Sequence, residues 1–248
     1  MKLCKYLTLL LFLSFLTGCE RRPAIGEVQW VTMGTVASFK FRDSADAAKA
    51  QIVRDTFAEI EKLLNAHVET SELRRLAALP DGEILERCDA LVRPCYEAAF
   101  GFRDASQGVF NPRWRGEGTM DLGGIAKGFA LDEAAKRVGV CDALIDLGGN
   151  LKVCGGVWRA GIYGTDKIIE LREGMSSSTS GEYFRGRHIK DGRTGGDVES
   201  RATSVTVVHP QSAMAADALS TILFILGKEK GGDFVAKEFP DANVVWNP

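Results

Sequence analysis

MDLGGIAKGFALDEAAK, residues 120–136, places Asp121, a glycine pair, Lys127 and a further glycine directly before a segment with the pattern of a helix. A glycine pair tolerates a positive φ and lets a ligand approach the main chain without a Cβ in the way. The start of a helix offers free N–H groups and a partial positive charge, which suit a phosphate group. The spacing is neither a P-loop nor a dinucleotide-binding GxGxxG sequence. Two interpretations are possible: a phosphate site, or a strand-to-helix turn with an exposed lysine.

The same four letters return at residues 146–149, Asp-Leu-Gly-Gly, where strand-like residues come next in place of a helix. This second copy is expected to let sheet and ligand, or sheet and sheet, approach closely, and a plain turn is the alternative. Two copies do not make a repeat architecture, which needs three or more units.

The segment SAMAADALSTILFILG, residues 212–227, is apolar on all sides and predicts a buried helix with Ser212 as its N-cap. Asp217 and Thr221 stand four residues apart in its middle, on one face. An unpaired carboxylate in this position would cost several kcal/mol, so a partner is required. The partner is either a lysine or arginine from elsewhere, or a hard cation such as Mg²⁺ or Ca²⁺, which favours carboxylate and hydroxyl oxygens. The pattern favours the cation.

Glycines and hydroxyls dominate residues 179–196, TSGEYFRGRHIKDGRTGG, where His188 lies close in sequence to Asp191. A solvated loop histidine is one interpretation. A role in proton transfer or in orienting a phosphate is the other.

The composition is that of a globular protein, with 45% hydrophobic and 26% charged residues among 248, enough to bury a core in one large domain or two small ones. No basic stripe is present, so no nucleic acid partner is expected. Four cysteines, Cys88, Cys95, Cys141 and Cys154, have no CxxC partner and are interpreted mostly as core residues.

The first residues have the features of a bacterial lipoprotein signal sequence. Lys2 and Lys5 precede an apolar run, residues 6–16, that is too short to span a membrane. The last residue of this run begins the sequence Leu-Thr-Gly-Cys, whose cysteine is Cys19. An ordinary signal peptide followed by a chance cysteine is the alternative. We therefore expect a signal peptide over 1–18, a lipidated Cys19 with a linker to residue 27, and a catalytic domain over 28–248, lipid-anchored in the bacterial envelope and facing the periplasm.

Strand and helix patterns mix without strict alternation, which favours an α+β fold with a single compact unit. The expected strands are 31–41, ALIDLGG, NLKVCGG with WRAGIYG in one sheet, KIIELREG and SVTVVHP, and the expected helices are Ser44 to about Ala66, Asp89 to about Ala105, Ile125 to Val138, and Ser212 to Leu226 ended by Gly227. Residues 65–80 are expected to be loop and short helix, and SSSTSG is taken as the start of a long polar loop.

Together these stretches resemble the ApbE family, the FAD:protein FMN transferases, over nearly the whole chain after the leader. The matching segments occur in the family's order: Met33-Gly34-Thr35, Ser71-Glu72-Leu73, Gly108-Val109-Phe110-Asn111-Pro112 (similar to GxFDPT), Asp121 to Gly128, Asp146 to Gly149, Thr179-Ser180-Gly181, His188 to Gly195 (similar to HIIDPRTG) and Ala216-Asp217 through Thr221.

The resemblance implies mixed sheets with helices on their faces and an Mg²⁺-dependent enzyme. Such an enzyme cleaves the FAD pyrophosphate, passes FMN through a phosphoester bond to a threonine or serine hydroxyl of an acceptor flavoprotein, and releases AMP. The acceptor would carry a Ser/Thr-Gly-Ala-Thr-like segment, as a membrane redox-pump subunit does. Two alternatives remain open: a metal-dependent FAD pyrophosphatase and a non-catalytic FAD-binding lipoprotein.

The resemblance also implies roles for single residues. Asp217 and Thr221 would hold the metal with the carbonyl of Gly124, and His188 and Asp217 would be catalytic. FAD would be contacted by Met33, His67, Phe110, Asn111, Asp121, Lys127 and Ile189. The second Asp-Leu-Gly-Gly would be mainly scaffold.

Departures from the family pattern concentrate around the expected flavin site. Asn111 replaces the usual Asp, while Lys190 and Gly192 replace Ile and Pro. His67 stands where many members have an aromatic residue. The segment between Pro112 and Leu122 is also shorter than in longer members, which carry an insertion there.

Overall fold

The computed structural model describes residues 25–182, 186, 188–198 and 202–247. The predicted signal sequence and Cys19 lie outside this part of the chain. The described strands are β1 (Gly26–Thr32), β2 (Thr35–Phe41), β3 (Ala143–Leu147), β4 (Asn150–Val153), β5 (Val157–Gly161), β6 (Ile168–Arg172), β7 (Ser176–Gly181), β8 (Ser204–His209) and β9 (Asn243–Asn247). The described helices are α1 (Lys49–Leu64), α2 (Glu72–Leu76), α3 (Asp81–Arg87), α4 (Arg93–Ala105), α5 (Ala126–Val138) and α6 (Ala213–Glu238), and a 3-10 turn, Ser44–Ala48, precedes α1.

Within the described residues, seven strands form one sheet in the order β1-β2-β3-β4-β7-β8-β9, and β5 pairs with β6 in a separate hairpin. Every pairing between these strands is antiparallel. The long connections between β2 and β3 and between β8 and β9 carry the helices. This arrangement confirms the α+β class.

The seven-stranded sheet is covered on both faces, as alternation along β3 shows. Ile145 and Leu147 point into the main core, which they share with the helices. Leu144 points the other way, into a small second core with Trp158 and Leu171 of the β5–β6 hairpin. Strands buried on both faces read as continuous apolar runs, which explains the sequence ALIDL.

The helices α5 and α6 pack against each other at the centre of the main core. A Cβ at Gly128 of α5 would lie 2.2 Å from the carbonyl oxygen of Ala213 in α6, so the two backbones touch. The first half of α6 is buried, as its apolar sequence predicts. The helix breaks at Gly227 (φ 74°, ψ 174°) and then resumes. Gly227 therefore ends the first half of α6, as predicted, but the helix that follows it was not predicted.

The predicted strand Val31–Phe41 is wrong as a single element. Met33 and Gly34 both have positive φ, 48° and 68°, and turn the chain so that Val31 pairs with Val36. The two-residue turn matches the twist of a hairpin. Period-two alternation continues through such a turn, which is why the sequence did not reveal it.

Residues 176–181 are a strand of the main sheet, where a polar loop was expected. Their serine side chains are small enough to be buried, and Ser176, Ser177 and Ser178 are 0%, 3% and 1% exposed. Main-chain pairing with β4 and β8 makes the strand, whatever the side chains are. β9 was not predicted, and WRAGIYG belongs to the separate hairpin, not to the main sheet.

The predicted helices occur where the sequence places them, but two of them begin at other residues than predicted. The expected helix from Ser44 begins with the 3-10 turn, which Asp43 caps in place of Ser44. The expected helix from Asp89 begins at Arg93, with Pro94 in its first turn. Helix α5 and its closing Gly139 (φ 71°) agree with the sequence.

The four cysteines of the described part are buried and unpaired, as their assignment to the core predicts. Burial raises the pKa of the Cys154 thiol to about 12. In the described residues no helix has the length and apolar character needed to cross a membrane.

The contact between α5 and α6 makes Gly128 intolerant of substitution. Gly128→Ala should lower the free energy of unfolding by at least roughly 1–3 kcal/mol, because the added methyl group meets main-chain atoms that no rotamer can move. Gly101→Ala is the matched control, since Gly101 lies in α4 with open space around it. This control should be neutral or stabilising by about 0.5–1 kcal/mol. Urea unfolding measures both, and equal stability of the two variants would contradict the close packing.

Candidate active site

One cavity of about 970 Å³ gathers most of the residues singled out in the sequence. It lies where the start of α5, the first half of α6, the end of β7 and the turn between β3 and β4 meet. This volume is at the upper end of the range for small-molecule sites. Its walls include the predicted residues His67, Phe110, Asn111, Asp121, Gly124, Lys127, His188, Ile189, Asp217 and Thr221.

The first Asp-Leu-Gly-Gly forms a tight approach to α5. The carboxylate of Asp121 accepts a hydrogen bond from the Gly123 N–H at 2.8 Å, which turns the chain toward the helix. A Cβ at Gly124 would lie 3.2 Å from both Phe110 Cε2 and Thr221 Oγ1. The glycine therefore lets the main chain pass beside Thr221, as the sequence suggested.

The N–H groups at the start of α5 are largely engaged within the protein. Ile125 and Ala126 donate to the Leu122 carbonyl, at 3.0 and 2.8 Å, and Gly128 donates to Asp217. Of the two interpretations of this segment, the phosphate seat therefore cannot use the amides of Ile125, Ala126 and Gly128, which already have partners. The side chains of Lys127 and of Arg115, which lies 3.3 Å from Asp121, bring positive charge to this end of the cavity.

The second Asp-Leu-Gly-Gly has a different conformation. Gly148 and Gly149 have φ of 63° and 91° and form the two-residue turn between β3 and β4. Asp146 accepts a hydrogen bond from the Gly149 N–H at 2.9 Å. Both glycines line the cavity, and a Cβ at Gly148 would lie 2.5 Å from Thr35 Oγ1. This copy is scaffold, and it is also part of the cavity wall.

Asp217 is 4% exposed, and its two carboxylate oxygens have different partners. Oδ2 accepts a hydrogen bond from the Gly128 N–H at 2.9 Å. Oδ1 lies 3.3 Å from Ser178 Oγ and 4.0 Å from Lys127 Nζ. Lys127 donates instead to the Gly123 carbonyl, at 3.1 Å. The buried carboxylate thus has a cation at the limit of ion-pair distance, and the oxygen on that side keeps capacity for another ligand.

Hydroxyl groups surround this carboxylate. Thr221 Oγ1 lies 3.3 Å from Ser180 Oγ and 3.4 Å from the Asp217 carbonyl. Ser220 Oγ lies 2.9 Å from Ser180 Oγ and 3.2 Å from Ser178 Oγ. All of these hydroxyls come from β7 and α6, so the two elements are joined by a polar contact at the floor of the cavity.

The donor atoms at this floor fit a hard divalent cation. In the described part of the chain, no three or more His, Cys, Asp or Glu side chains are grouped to hold a metal. One carboxylate with hydroxyl and main-chain oxygens is the kind of sparse set from which Mg²⁺ is bound together with substrate phosphates and waters. Asp217, Thr221 and Gly124 meet this description, because Gly124 passes directly beside Thr221.

Met33 differs from the other predicted flavin contacts. It lies at the β1–β2 turn and packs against the main core, outside the lining of the cavity. Thr35, two residues later, lines the cavity instead.

Asn111 and Gly192, which both depart from the family pattern, contact each other. Asn111 Nδ2 donates to the Gly192 carbonyl at 3.1 Å, and its Oδ1 accepts from the Arg113 N–H at 2.9 Å. A Cβ at Gly192 would lie 2.6 Å from Asn111 Cβ and from the Gly108 carbonyl oxygen. The loop that carries Phe110 therefore leaves room only for glycine at position 192, and the amide of Asn111 donates to that glycine, which a carboxylate at position 111 could not do.

His188 lines the cavity with an exposed side chain, and it does not pair with Asp191. Its Nδ1 lies 2.9 Å from the Gly186 carbonyl. Because a carbonyl only accepts, Nδ1 carries the proton in this contact. Asp191 pairs with Arg193 at 2.5 Å, and this arginine lowers the pKa of the Asp191 carboxyl.

Two cavity residues missed in the sequence belong to the short segment after Pro112. Trp114 lines the cavity, and the Arg115 guanidinium lies 4.6 Å from the centre of the Trp114 ring. Arg115 also lies 3.3 Å from Asp121. The segment that lacks the family's insertion therefore supplies an aromatic and a basic wall of its own. The sequence signal that could have identified them is an aromatic residue followed directly by a basic residue in a glycine-rich loop. Further cavity residues outside the prediction are Asn150, Tyr163, Thr179, Ser180 and Lys190.

Gly124→Val tests the metal site directly. The valine methyl groups would displace Thr221 Oγ1 and Phe110, which lie 3.2 Å from the position of the added Cβ. We expect the affinity for Mn²⁺, used as a paramagnetic substitute for Mg²⁺ and followed by electron paramagnetic resonance, to fall by at least roughly tenfold. Thermal unfolding should change little by comparison. A valine variant with unchanged Mn²⁺ affinity would show that Gly124 is only a turn residue.

A model of the ApbE family matches residues 113–246, which is more than half of the chain. The FAD:protein FMN transferase of Escherichia coli strain K12 is 34% identical over 142 residues, which are 48% of this chain and 40% of that protein. The FAD:protein FMN transferase of Treponema pallidum is 32% identical over 158 residues, 51% of this chain and 43% of that protein. The aligned part thus spans about two fifths of the length of these curated relatives.

Solved structures match over more of the chain. The apo form of the Pseudomonas stutzeri flavinyl transferase ApbE superposes with a TM-score of 0.74 at 25% identity, covering 90% of both chains. The flavin transferase ApbE of Vibrio cholerae gives a TM-score of 0.73 at 19% identity, covering 90% of this chain and 93% of that one. These superpositions confirm the expected fold.

Proposed function

Because the chain belongs to the ApbE family, we propose that it transfers FMN from FAD to a threonine or serine hydroxyl of an acceptor flavoprotein. The acceptor oxygen forms a bond to the phosphorus atom on the FMN side of the pyrophosphate. The bond between that phosphorus and the bridging oxygen breaks, AMP leaves with the bridging oxygen, and the hydroxyl proton passes to a base. The names of the relatives support the activity, since they are FAD:protein FMN transferases.

The observation that carries this proposal is the buried carboxylate of Asp217 beside Thr221 and Gly124 at the floor of the cavity. A passive flavin site has no need of a carboxylate buried this deeply with a cation only at 4.0 Å. A divalent metal bound here would neutralise charge that develops on the pyrophosphate oxygens. Asp217, Thr221 and the Gly124 carbonyl are the residues that would hold it.

Other side chains of the cavity position the substrate. The ammonium group of Lys127, held by the Gly123 carbonyl, contributes a positive charge next to Asp217 for the pyrophosphate. His188, whose Nδ1 is engaged by the Gly186 carbonyl, is the base for the acceptor's hydroxyl proton through its other ring nitrogen, Nε2. His67, Phe110, Asn111, Asp121 and Ile189 remain the proposed contacts to FAD, and Met33 remains proposed although it lies outside the cavity lining.

The test is incubation with FAD, Mg²⁺ and an acceptor protein that bears an exposed Ser/Thr-Gly-Ala-Thr segment. We expect an in-gel fluorescent acceptor and one AMP per flavin transferred. Asp217→Asn should lower the rate by more than roughly a hundredfold, because the charge that holds the metal is lost while the shape is kept. The comparison is with wild-type protein in the same mixture and with wild-type protein in EDTA.

Each other outcome contradicts the transferase in a different way. AMP and free FMN without a labelled acceptor would identify a pyrophosphatase. FAD binding without AMP would identify a binding protein. Full Mg²⁺-dependent activity of Asp217→Asn would overturn the metal assignment and favour the ion pair with Lys127.

We also propose that Cys19 is the lipidated N-terminus and that the protein is anchored to a membrane of the bacterial envelope, facing the periplasm. The support is the sequence of the leader, which lies outside the described residues. Cys19→Ser should move the protein from the membrane fraction to the soluble envelope fraction after cell lysis. A variant that stays in the membrane fraction would indicate an anchor of another kind.

A further inference from the structure

Helices α5 and α6 each bind the N-terminus of the other through an aspartate side chain. Asp217 of α6 accepts a hydrogen bond from the N–H of Gly128, the third residue of α5, at 2.9 Å. Asp132 of α5 accepts from the N–H groups of Ala213 and Met214, the first two residues of α6, each at 2.9 Å. The first turn of each helix is therefore capped by a carboxylate of the other helix, where negative charge is most favourable.

The carboxylate of Asp132 is held from several sides. It accepts from Ser212 Oγ at 3.0 Å, and Lys152 Nζ of β4 lies 2.9 Å away. The Lys152 side chain is 7% exposed and donates also to the carbonyls of Gly174 and Gln211, at 2.9 and 2.6 Å. The start of α6 is thus fixed to the sheet through an ion pair whose lysine is buried and whose carboxylate is partly exposed.

His209 at the end of β8 completes this fixation. Its Nδ1 accepts from the N–H groups of Gln211 and Ser212, at 3.2 and 2.9 Å. Nδ1 is therefore unprotonated in this arrangement, in keeping with the burial that lowers the pKa of His209. With Asp132 and Lys152, His209 ties the start of α6 to three different elements.

The four-residue spacing along each helix connects the contacts at the start of α6 to the candidate active site. Asp217 lies one helical turn after Ala213, and Asp132 lies one turn after Gly128, so both pairs lie on the helix faces that meet. The backbones touch where Gly128 meets Ala213, so α6 has no room to slide along α5 without breaking the contact. A displaced helix start moves Asp217 relative to Gly124 and Thr221.

From these contacts we infer that Asp132 is a positioning residue that sets the place of the Asp217 carboxylate through the start of α6. It lines no part of the cavity and acts on substrate or metal only through Asp217. The part of this inference that concerns metal binding rests on the proposed function. The part that concerns the bond between Asp217 and the Gly128 N–H does not.

The first variant is Asp132→Asn. An amide offers one acceptor oxygen where the carboxylate receives three hydrogen bonds and a lysine, and its NH₂ group faces other donors. Glu133→Gln is the matched control, because Glu133 is the next residue of the same helix and its one ion pair within the described residues is with Lys136, at 3.5 Å. Asp132→Glu is the second variant. It keeps the charge beside Lys152 and so protects the fold, while it moves the carboxylate by one methylene.

Two measurements on the full protein decide the inference. The first is hydrogen exchange at the Gly128 amide, which is distant in sequence from the start of α6 and reports the bond to Asp217. The second is the dissociation constant for Mn²⁺ by electron paramagnetic resonance. In Asp132→Asn we expect faster exchange at Gly128 and affinity weaker by roughly tenfold or more, a smaller change of the same kind in Asp132→Glu, and none in Glu133→Gln.

The inference is overturned if exchange rises only at residues 213 and 214 while Gly128 and the Mn²⁺ affinity keep their wild-type values in the Asp132 variants. It is likewise overturned if Glu133→Gln has the same effect. Failure of the proposed function has a separate signature: wild-type protein would bind no Mn²⁺ and release no AMP, and exchange at Gly128 in the variants would still decide whether Asp132 positions Asp217.

Discussion

The burial of one carboxylate, that of Asp217, is the constraint on which the centre of this structure depends. A charge that is 4% exposed in the apolar first half of α6 is stable only with donors arranged around it. The Gly128 N–H supplies the shortest contact, and it can do so only because a glycine lets α5 and α6 touch. The close helix packing and the polar site are therefore one arrangement.

The same constraint explains why a serine-rich strand lies in the core. Ser178 and Ser180 of β7 face α6, where an apolar residue would remove the hydroxyl partner of Asp217 Oδ1 and the hydroxyl partners of Ser220. Buried hydroxyls normally weaken a core, yet Ser178, Ser180 and Ser220 each have another polar atom within hydrogen-bond distance. A sheet that is apolar at β3 and hydroxyl-rich at β7 thus serves as both core and floor of the cavity.

Backbone geometry gives the two Asp-Leu-Gly-Gly segments different uses. In both, the aspartate accepts a hydrogen bond from a glycine N–H. The first segment has ordinary φ angles and leads into a helix, while the second has two positive φ angles and reverses a strand. The next element in the chain decides the conformation of each segment, since a helix and a hairpin impose different dihedral angles on the same residues.

The sequence by itself determined the α+β class, helix α5 with its closing glycine, and the buried first half of α6 with Asp217 and Thr221 on one face, because these depend on local patterns of apolar, glycine and capping residues. The resemblance to the ApbE family supplied the remaining cavity residues that were predicted. Only the tertiary structure decided the rest. The β1–β2 turn at Met33 is invisible to alternation, and strand β7 exists because its neighbours pair with its main chain. The distance of Lys127 from Asp217, the contact of Asn111 with Gly192 and the partners of Asp132 join residues distant in the chain. Such contacts depend on how elements pack, and no local pattern encodes that packing.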